Sequence, residues 1–330
     1  MKKTIALMVA AIVMMSLSLA NFTFAADSGS SNKITLKFSL EDPPATTYYL
    51  GLLKFKEEVE QKTNGDITVE VYASGQLGSV KDALEGLQYG TIQCAFAATP
   101  AMATFVPEYD CLDFPFLFND SARAHAVMDG EVGQWLSGLM LERTGIRVMG
   151  YMDTGFRNIY ARKPVNSLAD FKGLKVRTMA SDLHMATFSA LGAIPTPMDG
   201  REVFTALQQG TIDAAENAYS YMVAQKMNEA AGYVIASDHF FGSCAIMISE
   251  KVYQSLTAEQ RTIIDTAAAN CIAYQREAME EANNTDKKTL ADLGMQVIEI
   301  DRAELRAAVQ SVYDKYKDKV DPEIFAKITE

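Results

Sequence analysis

The chain has 330 residues, 30 Lys and Arg against 42 Asp and Glu, and a formal net charge of −12. That balance argues against nucleic acid and anionic membrane surfaces as partners, and any anion bound here needs a locally positive site. The length allows two domains with sizeable cores.

Residues 1–25 read as a secretory signal peptide. Lys2 and Lys3 form the charged start, Ile5 to Ala20 is an apolar run, and Thr23-Phe24-Ala25 is an acceptable cleavage site. The run falls short of the ~20 residues a membrane span needs. A soluble exported protein, periplasmic in location, is therefore expected. Cys94, Cys111, Cys244 and Cys271 are scattered, with no Cys-x-x-Cys pair. Cys94 and Cys111 could bridge in an oxidising compartment; buried free thiols are the equal alternative. His125, His184 and His239 lack spaced carboxylates, so no metal and no cofactor is expected.

Ile34, Leu36 and Phe38 alternate as a strand, and a helix follows from about Thr46 to Thr63, stopping at Asn64-Gly65. Ile67, Val69 and Val71 alternate as the next strand, completing a βαβ unit. Gly75-Gln76-Leu77-Gly78 is a turn. Asp82 to Tyr89 then reads as a helix, Gly90 as its stop and Ile92 to Ala98 as a strand. Asp110 to Asp120 is an aromatic-rich loop, and Phe114, Phe116 and Phe118 suit a core. Val148 to Met152 and Phe156 to Ala161 are two strand-like runs in a second βαβ-like stretch, with Ser167 to Phe171 as the helical part and Leu174 to Arg177 as the next strand.

The words around Gly90 recur. Leu87-Gln88-Tyr89-Gly90-Thr91-Ile92 reappears as Leu207-Gln208-Gln209-Gly210-Thr211-Ile212, 120 positions later (207 minus 87). Glu202 to Gln209 is the matching helix and Ile212 to Ala215 the matching strand. A helix, a glycine stop and a strand repeated far apart suggest two α/β lobes with a cleft between them. Cys244 to Ile248 is an apolar strand. Thr257-Ala258-Glu259-Gln260 matches a capping box that opens a helix running to about Leu293, roughly 50 Å long if unbroken at Asn283-Asn284. Gln296 to Ile300 is a last strand and Arg302 to Lys317 a closing helix.

The chain has no Gly-x-Ser-x-Gly elbow, no Gly-x-x-x-x-Gly-Lys loop and no Gly-x-Gly-x-x-Gly, so an enzyme is not expected. Arg157 and Arg177 stand out, because each lies at the edge of a strand-like run, where open α/β sheets place ligands. A guanidinium matches a carboxylate in two parallel bonds.

Several words in order resemble the solute-binding subunit of TRAP transporters, the tripartite ATP-independent periplasmic uptake systems. They are Gly155-Phe156-Arg157-Asn158, Leu168 to Arg177, Leu191 to Met198, Glu202 to Gly210 and Glu216-Asn217, with Ser74 to Gly78 and Leu112 to Phe118 before them. The resemblance implies an α/β fold of two lobes with hinge strands, a ligand cleft between them and a long helix spanning both. It sets one lobe at 33–154 plus about 243–283 and the other at 155–242 plus about 284–330. It also implies a monomer that closes on an organic-acid anion and hands it to TRAP permease membrane subunits.

By the same resemblance, Arg177 holds the ligand carboxylate, with Arg157 and Asn217 assisting. Tyr219, two residues after Asn217, shares its face if the strand continues, and Phe241 is a further candidate to line the cleft; Tyr48 and Tyr49 are weaker candidates. Ala218 stands where family members often have proline. Gly200 stands where the sialic-acid branch has an aromatic residue, and Ala98 and Ala180 where that branch has polar contacts. These departures argue against sialic acid. They leave open a bulkier apolar acid, aromatic or branched keto. If Glu41, Asp42, Asp153 and Asp199 meet ligand hydroxyls or an amine, a sugar acid or amino acid fits instead; a dicarboxylate also stays open. A sensor subunit presenting ligand to a receptor kinase, or an exported enzyme in the same cleft, are the alternative functions.

Overall fold

The computed structural model describes residues 33–329, so the expected signal peptide at residues 1–25 lies outside the described residues. One nine-stranded sheet organises the chain in the order β2-β1-β3-β8-β4-β7-β5-β6, with β9 pairing β8. The strands are β1 (Ile34–Ser39), β2 (Ile67–Tyr72), β3 (Cys94–Ala98), β4 (Ile146–Ala161), β5 (Lys175–Thr178), β6 (Ile194–Pro197), β7 (Ala214–Asn217), β8 (Tyr233–Ser249) and β9 (Gln296–Glu299).

Strands β4 and β8 run antiparallel through the middle of the sheet and belong to both halves. On one side β3 pairs with the Cys244–Ile248 end of β8. On the other, β7 pairs with the Asn158–Ala161 end of β4. The outer strands on each side are parallel, as short βαβ crossovers require.

The repeat is structural as well as verbal. The helices Val80–Tyr89 and Val203–Gln209 end on Gly90 and Gly210, at φ 76° and 74°, a left-handed stop that glycine adopts without strain. β3 then lies parallel to β1 and antiparallel to β8, while β7 lies parallel to β5 and antiparallel to β4. Each strand feeds a short helix, Thr99–Met102 or Tyr219–Ala224, through an extended alanine, Ala98 or Ala218.

The long helix is continuous from Ala258 to Asp292, through Asn283-Asn284. Its capping box is formed: Gln260 N donates to Thr257 Oγ1 at 3.2 Å, and Thr257 N to Gln260 Oε1 at 2.9 Å. It packs on the Thr47–Lys62 helix, on β4 and on the Tyr219–Ala224 helix. Gly51 permits a close approach of the Thr47–Lys62 helix, since a Cβ there would stand 3.3 Å from Gln275 Cβ. No described helix is long and apolar enough to cross a membrane.

Several expectations are corrected. Val148–Met152 and Phe156–Ala161 are one sixteen-residue strand, whose register shifts between Asp153 and Phe156; Gly155, at φ 80°, sits in that irregularity and interrupts the alternation in the sequence. No βαβ unit follows it, because β4 and β5 flank β7 with opposite sense, and Leu168–Phe171 is a single 3-10 turn. β8 is far longer than Cys244–Ile248. The closing helix is two, Arg302–Ala308 and Gln310–Tyr316. All four cysteines are buried free thiols; Cys94 and Cys111 lie in different apolar clusters. Phe114, Phe116 and Phe118 are buried, as expected of core residues.

Candidate ligand-binding site

The ends of β5 and β7 and the middle of β4 meet at one edge of the sheet. Ile159 of β4 pairs with Glu216 of β7. Glu216 therefore shares a face with Arg157, two residues along, and the two are diagonal neighbours. Arg157 Nε donates to Glu216 Oε2 at 2.5 Å and Nη2 to Oε1 at 2.8 Å. Nη2 also reaches the Glu216 carbonyl at 3.0 Å, and Nη1 donates to Asn217 Oδ1 at 3.1 Å. Both residues are buried. Burial opposes the charge on Glu216, but the Arg157 guanidinium and its hydrogen bonds outweigh it and hold that carboxyl well below the usual range.

Arg177 is held differently. Thr178 pairs with Pro197 across β5 and β6, which brings the next carbonyl, that of Met198, over the guanidinium. Nε and Nη2 donate to it at 3.0 and 2.7 Å. Among the described residues no carboxylate oxygen lies within 4.0 Å of Arg177, although the residue is 7% exposed. A buried guanidinium without a counter-charge is costly unless something supplies one.

Both arginines and Asn217 line a cavity of about 710 Å³, solvent at its mouth included. This is within the range of small-molecule sites. Asn217 Oδ1 accepts from Arg157 and from Ala218 N at 2.9 Å, so its amide nitrogen is left to donate into the cavity. Ala97 and Ala98, at the end of β3, line the same cavity. Both copies of the repeat thus contribute to the lining, the first through Ala97 and Ala98 and the second through Asn217 at the end of β7.

Glu41, Asp42 and Tyr48, from the segment after β1, close the site. Tyr48 stacks on Phe96 with centroids 4.7 Å apart. Burial and the neighbouring Asp199 push the Glu41 carboxyl up to about 8. Burial raises Asp42 to about 6, against the hydrogen bond from Tyr48 and the charge of Arg157. Asp199 is clamped by Arg201, whose Nε and Nη2 donate at 3.0 and 2.8 Å. Those bonds hold Asp199 well below the usual carboxylate range.

Behind Arg157 lies a buried polar layer. His239 Nδ1 bonds Ser237 Oγ at 2.8 Å and its Nε2 is 3.6 Å from Glu216. Burial lowers the His239 pKa and favours the neutral ring. His184 stacks on Phe240 at 4.1 Å, 3.9 Å from Asp113. Within this layer His239 adjoins the Arg157 pair through Glu216.

Of the residues singled out in the sequence, Arg157, Arg177, Asn217, Glu41, Asp42, Tyr48 and Ala98 line the cavity. Asp199, Met198 and Ala180 line its outward continuation past Gly200 and Met179. Tyr219 and Phe241 are not brought to it. Tyr219 begins a helix instead of continuing β7, so its strand-face argument does not apply. Phe241 packs among Phe118, Phe156 and His125. Asp153 pairs with His125 at 2.6 Å, and Tyr49 is likewise not in the lining. Sequence reasoning missed Tyr221, Thr154, Gln225, Met179 and Arg201. Tyr221 was reachable: with a helix starting at Tyr219, residues two apart diverge, and the other tyrosine takes the cavity side.

Residues 38–319 match the family model described as bacterial extracellular solute-binding protein, family 7. The chain is 34% identical to the C4-dicarboxylate-binding periplasmic protein DctP of Rhodobacter capsulatus, over 89% of this chain and 90% of that one. Two solved TRAP periplasmic solute-binding proteins share the fold. One, from a Polaromonas species, was solved bound to D-erythronate (31% identity, TM-score 0.86, 90% of this chain and 98% of that one). The other, from Shewanella oneidensis, was solved with bound succinate (32% identity, TM-score 0.86, the same coverage). With a two-lobed α/β architecture, a long helix over both lobes and a family match along most of its length, the chain belongs to the bacterial extracellular solute-binding protein family 7, the solute-binding proteins of TRAP transporters.

Proposed function

We propose that this chain captures an organic-acid anion in the periplasm, closes two lobes on it and delivers it to TRAP permease subunits, working as a monomer without catalysis. The lobes are 33–154 plus about 243–283 and 155–242 plus about 284–330, with β4 and β8 as the hinge strands. Arg177 forms the main ion pair with the ligand carboxylate, and Asn217, which donates its amide, and Arg157 complete the anion site.

The observation that carries this reading is Arg177 itself: buried, facing a cavity, and bonded only to a carbonyl among the described residues. A ligand carboxylate supplies the missing counter-charge, and closure excludes water, which strengthens each bond. Micromolar affinity corresponds to about 8 kcal/mol, within reach of one charge-assisted anion site plus apolar burial. Differential affinity for the closed arrangement is what shifts the population. The ligands of those two relatives, D-erythronate and succinate, are both carboxylates.

Calorimetric titration with a panel of sugar acids, dicarboxylates, keto acids and aromatic acids tests the proposal. Arg177→Ala is expected to weaken binding of the best ligand at least a hundredfold while leaving the thermal melt cooperative. Wild-type affinity in that variant sinks the assignment.

A further inference from the structure

We infer that Glu41 and Asp42 set selectivity: the cleft takes a monocarboxylate carrying hydroxyl groups and rejects a second carboxylate on the ligand. The inference rests on the reading of Arg177 as the carboxylate anchor.

Gly200 locates the groups concerned. A Cβ on it would stand 3.5 Å from Glu41 Oε1, 3.8 Å from Arg177 Nη2 and 3.9 Å from Tyr221 Oη. These three polar atoms therefore lie within 4 Å of one point, and a small acid anchored on Arg177 presents its next atoms to Glu41. Asp42 lines the same cavity, within electrostatic reach of both Arg157 and Arg177.

The charges around that point are nearly all spoken for. Arg157 is paired with Glu216 through two bonds, and Arg201 with Asp199. That leaves Arg177 as the cavity guanidinium without a carboxylate partner, facing Glu41 and Asp42. One ligand carboxylate completes this set. A second finds no unpaired guanidinium and meets ionised Asp42, of its own sign, in a poorly solvated space.

Hydrogen-bond chemistry points the same way. Burial and Asp199 keep a proton on Glu41 at neutral pH; with that proton directed at Asp199, its remaining capacity is to accept. Ionised Asp42 only accepts. A ligand carboxylate is also acceptor-only and satisfies neither, whereas a hydroxyl donates to either. An unsubstituted acyl chain would leave the remaining acceptor capacity of both acids desolvated and unsatisfied.

The test is calorimetry with pairs matched in length: D-erythronate against succinate, and galactonate against galactarate, which keeps the four chain hydroxyls and exchanges the terminal hydroxymethyl group for a second carboxylate. Butanoate and threonine test the hydroxyl and amine. The hydroxylated monocarboxylate is expected to bind at least tenfold tighter than its dicarboxylate partner, and tighter than butanoate or threonine. Glu41→Gln, and separately Glu41→Gln with Asp42→Asn, are expected to shrink the monocarboxylate preference at least tenfold, chiefly by improving the dicarboxylate. The isosteric single variant keeps the test open if the double variant fails to fold. A dicarboxylate or amino acid as the tightest ligand, or an unchanged ratio in Glu41→Gln, overturns the inference. If such a ligand still needs Arg177, the selectivity alone is wrong. If no acid in the set binds in an Arg177-dependent way, the anion-site reading falls with it.

Discussion

Arg157 and Arg177 look alike in sequence, each basic and near a strand end, but different partners hold them. Arg157 completes a buried ion pair, so Arg157→Ala strands Glu216 without a counter-charge. That should cost about 3–5 kcal/mol of stability, read as a lowered denaturation midpoint, and replacing both members with apolar residues should recover much of it. Arg157 is thus expected to support the fold through Glu216 as well as to assist at the anion site. Glu41 makes a second residue-scale prediction. Its carboxyl rises from 4.5 to about 8 on folding, so the folded protein binds more protons than the unfolded chain between those values. Stability from this residue is present below about pH 4.5 and lost as pH climbs to 8. Wild type and Glu41→Gln should therefore diverge in melting temperature across that window, the wild type losing more; parallel curves would rule it out. Arg177 and Asn217 were legible as positions at strand ends. The Arg157–Glu216 pairing was not, because it depends on which residue of β7 lies diagonal to Arg157, and register is a long-range property.

Among elements, those that announce themselves locally were read closely. The capping box at Thr257 and Gln260, the left-handed stops at Gly90 and Gly210 and the βαβ unit at the start each rest on neighbours in the chain. β4 defeated local reading because its irregular middle resembles a loop. What stabilises that middle comes from the long helix. Gln275 is fully buried; its Nε2 donates to the Asp153 carbonyl at 2.7 Å and to Thr47 Oγ1 at 3.3 Å, and its Oε1 accepts from Asp153 N at 3.3 Å. Gln275→Leu leaves both backbone groups of Asp153 buried without these partners, at about 1–3 kcal/mol each. A midpoint shift of that order in urea is expected; none would mean the strand supports itself. The opposite surface there is equally constrained, since a Cβ on Gly242 would lie 2.0 Å from Thr154 Oγ1.

At the scale of the whole molecule, two lobes were legible from the repeat and the resemblance. The topology was not, because no local pattern tells that β4 and β8 each serve both halves. That sharing also governs the order in which the protein can assemble. The first half completes its sheet only when Cys244–Ile248 reaches β3, and β8 gains its last neighbour only from Gln296–Glu299. An emerging chain holds β1, β2 and β3 long before the strand that covers them exists. Folding therefore waits on contacts distant in sequence, which slows it, and no early fragment is self-sufficient. A chain ending at residue 232 should show no cooperative melt and should expose the apolar edge of β3. A cooperative transition in that fragment would show that the first half is an independent folding unit after all.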